Sequence, residues 1–316
     1  MFKYIMGRIG AMVLTLFLVM TLSFWIIRLM PMSIFENPEV SPEIQRKLEE
    51  RMHLHEPMAV QYYYFIEGIV TRGDFGTSVK IRPGLDVFEI LSSRIPATVI
   101  LNVFSLLISI PLGILFGTWA ALKRNKATDT VISFLIVVCI SVPSFVFASV
   151  LQYLFTFVWP VFPTLYDAQS PSFAVRFHSM VLPIIALSLN PIATIARYLR
   201  GELIETLSSD FMLLARTKGL TNTEATFRHA FRNSLVPIAN TIIPMVTGIM
   251  GGSLVIEKMF SVNGMGGLLI DSILAGDHFL TVALLIFYSA ISLFTILIVD
   301  VSYGIIDPRI RVGGKK

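Results

Sequence analysis

The sequence is short of charge. Lys, Arg, Asp and Glu make up 15% of its 316 residues, where a soluble globular chain carries about 25%. A soluble enzyme of this length needs that surface charge to stay dispersed, so an integral membrane protein takes its place, in keeping with a mean hydropathy of +0.74. Cysteine is nearly absent as well. Cys139 stands alone, which excludes a disulfide framework, a cysteine-based zinc site and a CxxC redox pair. Neither a G-x-x-x-x-G-K-[ST] loop nor an H-E-x-x-H motif occurs, which argues against an ATPase and against a zinc enzyme of that type. The net charge of +4 and a pI near 9.2 raise nucleic acid as a partner, and the placement of the charges decides that question.

Charge-free runs locate the membrane. They are Ile9–Ile27, Ile95–Leu122, Thr130–Tyr166, Phe177–Ala196, Asn233–Ile256 and His278–Val299. A spanning helix needs about 20 mostly apolar residues, so each run is expected to hold one helix, six in all. In the longest run, of 37 residues, Pro160 and Pro163 are placed to end the helix. The first run follows Lys3 and Arg8 but exceeds the h-region of a secretory signal and lacks a small-x-small cleavage site, so it reads as a retained helix.

The basic residues orient the chain. With the N-terminus in the cytoplasm, the pieces 1–8, 123–129, 197–232 and 300–316 hold 15 of 25 Lys and Arg, while 14 of 21 acidic residues fall outside. Among short loops, 123–129 and 197–232 carry nine basic residues against two in 167–176 and 257–277. Both termini are therefore expected in the cytoplasm. This pattern accounts for the high pI without nucleic acid. No ionisable residue falls mid-span, which disfavours a proton-coupled secondary transporter, as does the lack of an evident inverted repeat. A membrane enzyme is disfavoured by the missing motifs and by a cysteine set inside a span.

Two long hydrophilic segments remain. The first, Met30–Arg94, is extracytoplasmic in this orientation. Ser41-Pro42-Glu43 predicts a helix start running to about Met52. His53-Leu54-His55 offers too few ligands for a metal site and reads as a surface loop. Gly73-Asp74-Phe75-Gly76 predicts a turn. Gly76-Thr77-Ser78-Val79-Lys80 looks superficially like a phosphate loop without its spacing. The second segment is cytoplasmic. Ser209-Asp210 is placed to cap a helix through Lys218, with Gly219 in the left-handed position beyond it. Thr221-Asn222-Thr223-Glu224 fits a capping box for a second helix ending in Arg228, His229 and Arg232. A tandem of helices around a glycine turn is more than a positive-inside loop requires, and looks built to dock into another protein.

In this segment Leu214-Ala215-Arg216-Thr217-Lys218-Gly219-Leu220, then Arg228-His229-Ala230-Phe231-Arg232-Asn233 and Pro237, resembles the "EAA" loop of ABC importer permeases. It is most similar to the B-type subunit of the dipeptide/oligopeptide branch. Gly73–Ser78, Ile95-Pro96-Ala97-Thr98, Val255–Phe260 with Gly264-x-Gly266, and Asp307-Pro308-Arg309 agree with it. Leu213 and Leu214 replace the first two places of the Glu-Ala-Ala signature; Met30-Pro31-Met32-Ser33 and His53-Leu54-His55-Glu56-Pro57 depart from the family's turns.

The resemblance implies an all-α polytopic membrane protein with six transmembrane helices in the type I ABC importer permease fold. Residues 1–94 would form the first helix with an extracytoplasmic insert, and residues 95–316 the permease core with a cytoplasmic coupling loop at 197–236. It implies a transport subunit in a bacterial or archaeal cytoplasmic membrane, importing di- or oligopeptides, with nickel and glutathione as alternatives within the family. The implied partners are a second, C-type permease subunit, two ABC ATPases that bind the ATP and Mg, and an extracytoplasmic substrate-binding protein. No cofactor, metal or catalytic residue belongs to this chain. By position the coupling residues are Ala215, Arg216, Lys218, Gly219, Leu220, Arg228 and His229.

Spacing adds candidates for a substrate path. Ser133, Val137, Ser141, Ser144, Ala148 and Gln152 share one face of a continuous third helix; Asn102, Ser105, Ser109, Gly113 and Gly117 share one of the second; Pro237, Asn240, Pro244, Thr247 and Gly251 share one of the fifth. Such stripes serve either as packing seams, for which Gly113-x-x-x-Gly117 is suited, or as a weakly polar wall fit for varied peptides. Asn102, Ser105, Ser109, Ser141, Ser144, Gln152, Asn240 and Thr247 are the candidate lining. Pro111, Pro143, Pro183, Pro191 and Pro244 are possible kinks, and Glu257-Lys258 reads as an interfacial ion pair or part of an outer gate.

Overall fold

A computed structural model describes residues 2–29, 43, 46, 50, 53 and 55–306. Among these the chain is helical apart from connecting loops and one isolated antiparallel bridge, Thr77 with Asp86. The helices are α1 (Phe2–Leu29), α2 (Met58–Glu67), α3 (Val87–Leu122), α4 (Ala127–Ser141), α5 (Ser144–Gln152), α6 (Phe173–Leu207), α7 (Asp210–Thr217), α8 (Asn222–Ala225), α9 (Arg232–Thr247), α10 (Leu254–Met259), α11 (Met265–Ala275) and α12 (His278–Ile306). Wide π turns extend α2 through Arg72 and α5 through Val158, and a third joins α8 to α9 across Thr226–Phe231. The helix start expected at Ser41 falls outside the described residues save at Glu43, Arg46 and Glu50, which are helical. Met30–Ser33 and Asp307–Arg309 lie outside them too.

Among the described residues, Ile5–Ile26, Val87–Leu122, Phe173–Leu207, Asn222–Gly251 and His278–Ser302 are each long and apolar enough to span a membrane. The third expected span, Thr130–Tyr166, is not one straight helix. Ala127–Ser141 and Ser144–Val158 meet at a bend of 101°, centred on Val142 and Pro143. Val142 is extended (φ −85°, ψ 125°), as the residue before a proline prefers, and Pro143 has no N–H with which to continue the ladder. The second limb ends at Val158, ahead of Pro160, as the sequence predicts. Pro183, Pro191, Pro237 and Pro244 lie within helices. The fifth run is shorter than expected: α9 closes through a 3-10 turn at Gly248–Gly251, and Leu254–Met259 is a separate helix.

Contacts divide the described chain into two compact units. The first comprises the described parts of Met1–Thr98 with Met250–Lys258 and Asn263–Phe294. Its core joins Val87, Ile90 and Leu91 of α3, Met265 and Leu268 of α11, and Leu280, Ala283 and Leu284 of α12. Helix α1 is held to α2 by Phe24 against Tyr62 and Phe65, at centroid distances of 5.4 and 5.2 Å, and by a 2.7 Å hydrogen bond between Thr21 Oγ1 and the Tyr62 hydroxyl. The rest of α1 shows Val13, Leu14, Phe17, Leu18 and Leu22 outward, suited to lipid rather than to water.

The second unit comprises Val99–Ile249, Met259–Val262 and the described part of Thr295–Lys316. Helix α6 is its axis. Over its most apolar window α6 is 56% buried, against 11% for α1. Ala193 and Ala196 pack on Ile132 and Ile136 of α4 and on Ala120, while Ile195 and Leu199 pack on Ile238 of α9. Small residues at this seam bring the helix backbones together.

Candidate functional site

The 208–231 loop takes its shape from local signals. Ser209 is extended (φ −78°, ψ 155°) at the start of α7, yet its hydroxyl makes no cap. It donates instead to the carbonyl of Thr206 at 2.6 Å, so the expected serine cap is corrected. The far end matches expectation. Gly219 has φ +91°; its N–H donates to Arg216 O at 3.0 Å, and Leu220 N donates to Ala215 O at 3.3 Å. These crossed bonds form a Schellman motif, which requires a left-handed residue where glycine sits.

The capping box is present. Glu224 N donates to Thr221 Oγ1 at 3.3 Å, and Thr221 N donates to Glu224 Oε2 at 3.0 Å. The second helix does not stop at Arg228–Arg232, however. It widens into the π turn Thr226–Phe231 and continues as α9, so those cations line a continuous helix rather than a terminus. The Thr226 hydroxyl, donating to Asn222 O at 2.7 Å, ties down the turn before the widening.

The loop has two faces. Met212, Ala215, Ala225 and Ala230 are buried against Leu203 of α6 and Ala121 of α3. Phe211, Leu213, Leu214 and Phe227 are 42–62% exposed, with Arg216, Lys218 and Arg228 exposed among them. The seven coupling candidates divide accordingly. Arg216, Lys218, Gly219 and Arg228 face outward, Leu220 and His229 are half-buried, and Ala215 belongs to the chain's own core. The outward face is thus an apolar patch ringed by cations, and exposed apolar patches with polar rims mark interaction sites.

The path candidates scatter more. Ser105 and Ser109 are buried between α3 and α6. Ser109 Oγ donates to Ser105 O at 2.6 Å and to Ser188 O at 3.2 Å, and Ser188 Oγ donates to Ser105 O at 3.2 Å. Below them a Cβ on Gly113 would lie 2.7 Å from Ile195 Cβ, and one on Gly117 2.7 Å from Ala196 O. From Ser105 to Gly117 this stripe is a packing seam. The stripe on the third span rested on a continuous helix, and the bend at Pro143 divides it: Ser141 is exposed, Ser144 half-buried, and the Gln152 side chain donates to Thr164 O at 2.7 Å. Asn102 and Asn240 are half-buried, as is Thr247, whose hydroxyl donates to Ile243 O at 2.9 Å.

Two carboxylates in the first unit are placed by contacts that the sequence does not show. Glu257 does not pair with Lys258. The partner of Lys258 is Asp271, and Glu257 turns inward to complete burial. It accepts from Thr98 Oγ1 at 3.0 Å, Ser253 N at 3.3 Å, Gly266 N at 2.7 Å and Gly267 N at 3.4 Å. Burial pushes this carboxyl above the usual range, and the four donated bonds oppose the push. A Cβ on Gly264 would collide with Glu257 Oε2, and one on Gly266 would lie 2.8 Å from Leu254 N. Three stretches that carry the family resemblance thus meet around one side chain.

Asp277 is also fully buried. Its Oδ2 accepts from Ser78 Oγ at 2.5 Å and from the backbone N–H groups of Val79, Lys80 and Ile81 at 3.2, 3.1 and 3.0 Å. The segment that looked like a phosphate loop is therefore an anion-binding nest whose anion is internal. The expected turn before it is present: Gly73 has φ +64°, and Gly76 N donates to Asp74 Oδ1 at 2.8 Å. An aspartate one residue ahead of a helix is an N-cap signal, and its bond from Leu280 N at 3.4 Å follows from sequence; the nest does not. His53 stacks on Tyr64 at 3.9 Å.

The chain matches known proteins along its length. Residues 113–312 match the family model for the "Binding-protein-dependent transport system inner membrane component", and residues 1–102 match the corresponding N-terminal model. The "Dipeptide transport system permease protein DppB" of Lactococcus lactis subsp. cremoris is 38% identical over 99% of this chain and all of its own length. The Bacillus subtilis protein of that name is 34% identical over the whole of both chains. The "Oligopeptide transport system permease protein OppB" of Escherichia coli is 35% identical over 98% of this chain and all of its own. With its described spans, its apolar composition and these matches, the chain belongs to the binding-protein-dependent transport system inner membrane component family.

Proposed function

We propose that the chain is the B-type permease subunit of an ABC importer carrying di- or oligopeptides into a bacterial or archaeal cell, and that its 197–236 loop seats on an ATPase subunit. As a member of its family it is a transport subunit rather than an enzyme. The observation that carries the loop's role is its division into two faces. Met212, Ala215, Ala225 and Ala230 fasten it to the chain, leaving Phe211, Leu213, Leu214, Phe227, Arg216, Lys218 and Arg228 for a partner. The peptide class rests on the names of the relatives.

In this reading ATP and Mg reside on two ATPase subunits. A C-type permease completes the path, a substrate-binding protein delivers the peptide, and both termini lie in the cytoplasm. Residues 1–94 serve as first helix and extracytoplasmic insert, and 95–316 as the permease core. Closure of the ATPases moves α7 and α8, and α6, continuous from Phe173 to Leu207, carries the motion into the membrane. Ser141, Ser144, Asn102, Asn240, Gln152 and Thr247 are the remaining candidates to face the peptide.

Gly219→Val tests the loop. A β-branched residue at φ +91° costs about 1–2 kcal/mol and opens the Schellman turn. Uptake is expected to fall while the subunit still inserts and assembles. Unimpaired binding-protein-stimulated ATP hydrolysis in an importer carrying Gly219→Val would overturn the assignment.

A further inference from the structure

Asp129 and Arg200 form a forked ion pair that neither the family match nor the loop explains. Arg200 Nε donates to Asp129 Oδ1 at 2.6 Å and Nη2 to Oδ2 at 2.8 Å. Asp129 is 4% exposed. Its remaining acceptor capacity is used locally: Asn125 N donates to Oδ2 at 3.0 Å and Ser133 Oγ to Oδ1 at 3.3 Å. The carboxylate thus holds the Lys123–Lys126 turn, in which Asn125 is left-handed at φ +62°, together with the first turns of α4 and the last turns of α6.

Adhesion alone does not call for this pair. Ile132 and Ile136 already bind α4 to Ala193 and Ala196 of α6 through an apolar seam. An ion pair with its carboxylate buried and its guanidinium partly exposed adds little net stability. What a two-bond fork adds is geometry, because both N–H groups align at only one axial offset of the helices. An apolar seam of small residues tolerates sliding by fractions of a turn; the fork does not.

The connections on either side give that register a use. Seven residues beyond Arg200, α6 ends at Leu207, and α7 begins at Asp210. In the other direction α4 leads from Asp129 to the 101° bend, where Ser141 and Ser144 flank Val142 and Pro143. We propose that Asp129 and Arg200 are positioning residues that lock α4 to α6, so that displacement of the 208–231 loop moves the bend bearing Ser141 and Ser144. The inference rests on the ATPase-docking reading of that loop. Neither side chain touches substrate or nucleotide.

The test uses the full importer, assembled with its partner permease, ATPases and binding protein. Spin labels replace the exposed Val137 of α4 and Tyr198 of α6 in a Cys139→Ser background, and a separate Leu213→Cys reports docking by crosslinking to an ATPase. With the ion pair intact, the distance between the labels is expected to stay within about 2 Å between the nucleotide-free and vanadate-trapped states. Asp129→Asn is expected to retain the crosslink while that distance shifts or broadens by several ångströms on trapping. Asp129→Glu, which restores the charge, and the exchange of Asp129→Arg with Arg200→Asp are expected to narrow it again.

A distance that changes between states with the pair intact overturns the clamp, as does an Asp129→Asn distance that stays fixed. Should Asp129→Asn fail to assemble, the charge exchange decides: an assembled exchange variant with a fixed distance supports the clamp, and one with a shifting distance overturns it. Absence of the Leu213→Cys crosslink in the otherwise unsubstituted importer overturns the docking reading itself, whatever the label distances show.

Discussion

In the 208–231 loop the bonds that set the backbone reach no further than five residues, as in Leu220 to Ala215 and Thr221 to Glu224. Around Glu257 and Asp277 they reach across 159 and 199 residues, to Thr98 and Ser78. The loop can therefore form its turns before the rest of the chain is in place, whereas the two carboxylates lack their long-range donors until it folds. In the proposed docking role the loop gains from being locally specified, since it can shift as a unit without unmaking its turns. A buried carboxylate gains from the opposite arrangement, because each long-range donor ties distant segments to one point.

The largest break in this contrast is expected from Asp277→Ala. It leaves the Ser78 hydroxyl and the N–H groups of Val79, Lys80 and Ile81 without their acceptor in a buried site. Each stranded donor costs about 1–3 kcal/mol, so the loss is expected to reach about 3 kcal/mol or more even with water entering. Thermal unfolding in detergent should show the fall in Tm. An Asp277→Ala protein as stable as the parent would mean that the nest does not hold the 76–81 segment.

Gly266→Ala follows. Its Cβ would stand 2.8 Å from Leu254 N and 2.9 Å from the carbonyl carbon of Ser253, backbone atoms that cannot swing aside. Overpacking of this kind costs about 1–3 kcal/mol. The expected signature is a lower Tm with the 208–231 loop unaffected, read as unchanged amide exchange at Leu220 and Glu224. Altered protection at those amides would contradict the independence of the two regions.

The contrast also explains what could be read from the sequence. Five of the six runs, the glycine turn and the capping box all depend on composition or on neighbours within a few residues, and the folded chain keeps them. Pro143 marks a kink in the sequence, but nothing in the neighbouring residues gives the size of the bend, 101°, and a face drawn through Ser141 and Ser144 as one helix does not survive it. Ser105 and Ser109 fitted both a path and a seam; only the arrival of Ser188 on α6 selects the seam. Glu257 and Lys258 are adjacent in sequence and opposite in charge, which invited a pairing that helix geometry forbids, because neighbouring residues point about 100° apart. The Asp129–Arg200 fork joins residues 71 positions apart and has no local signature.

Thr221→Ala tests the local side of the comparison, with the smallest expected effect on stability. It removes the acceptor for Glu224 N at 3.3 Å and the hydroxyl that donates to Glu224 Oε2 at 2.7 Å. The bond from Thr221 N to the same carboxylate, 3.0 Å, uses the backbone and survives the substitution, so half of the capping box remains. Loss of an N-cap costs about 1 kcal/mol, and an exposed site lets water replace part of what is removed. Amide exchange should therefore rise at Asn222–Ala225 while Tm changes little and the nest at Val79–Ile81 keeps its protection. Uptake should fall less than with Gly219→Val, since the glycine sets the direction of the turn and the threonine only its first hydrogen bond. A fall in Tm as large as that from Asp277→Ala would show that the loop is held by the whole fold rather than by its own few residues.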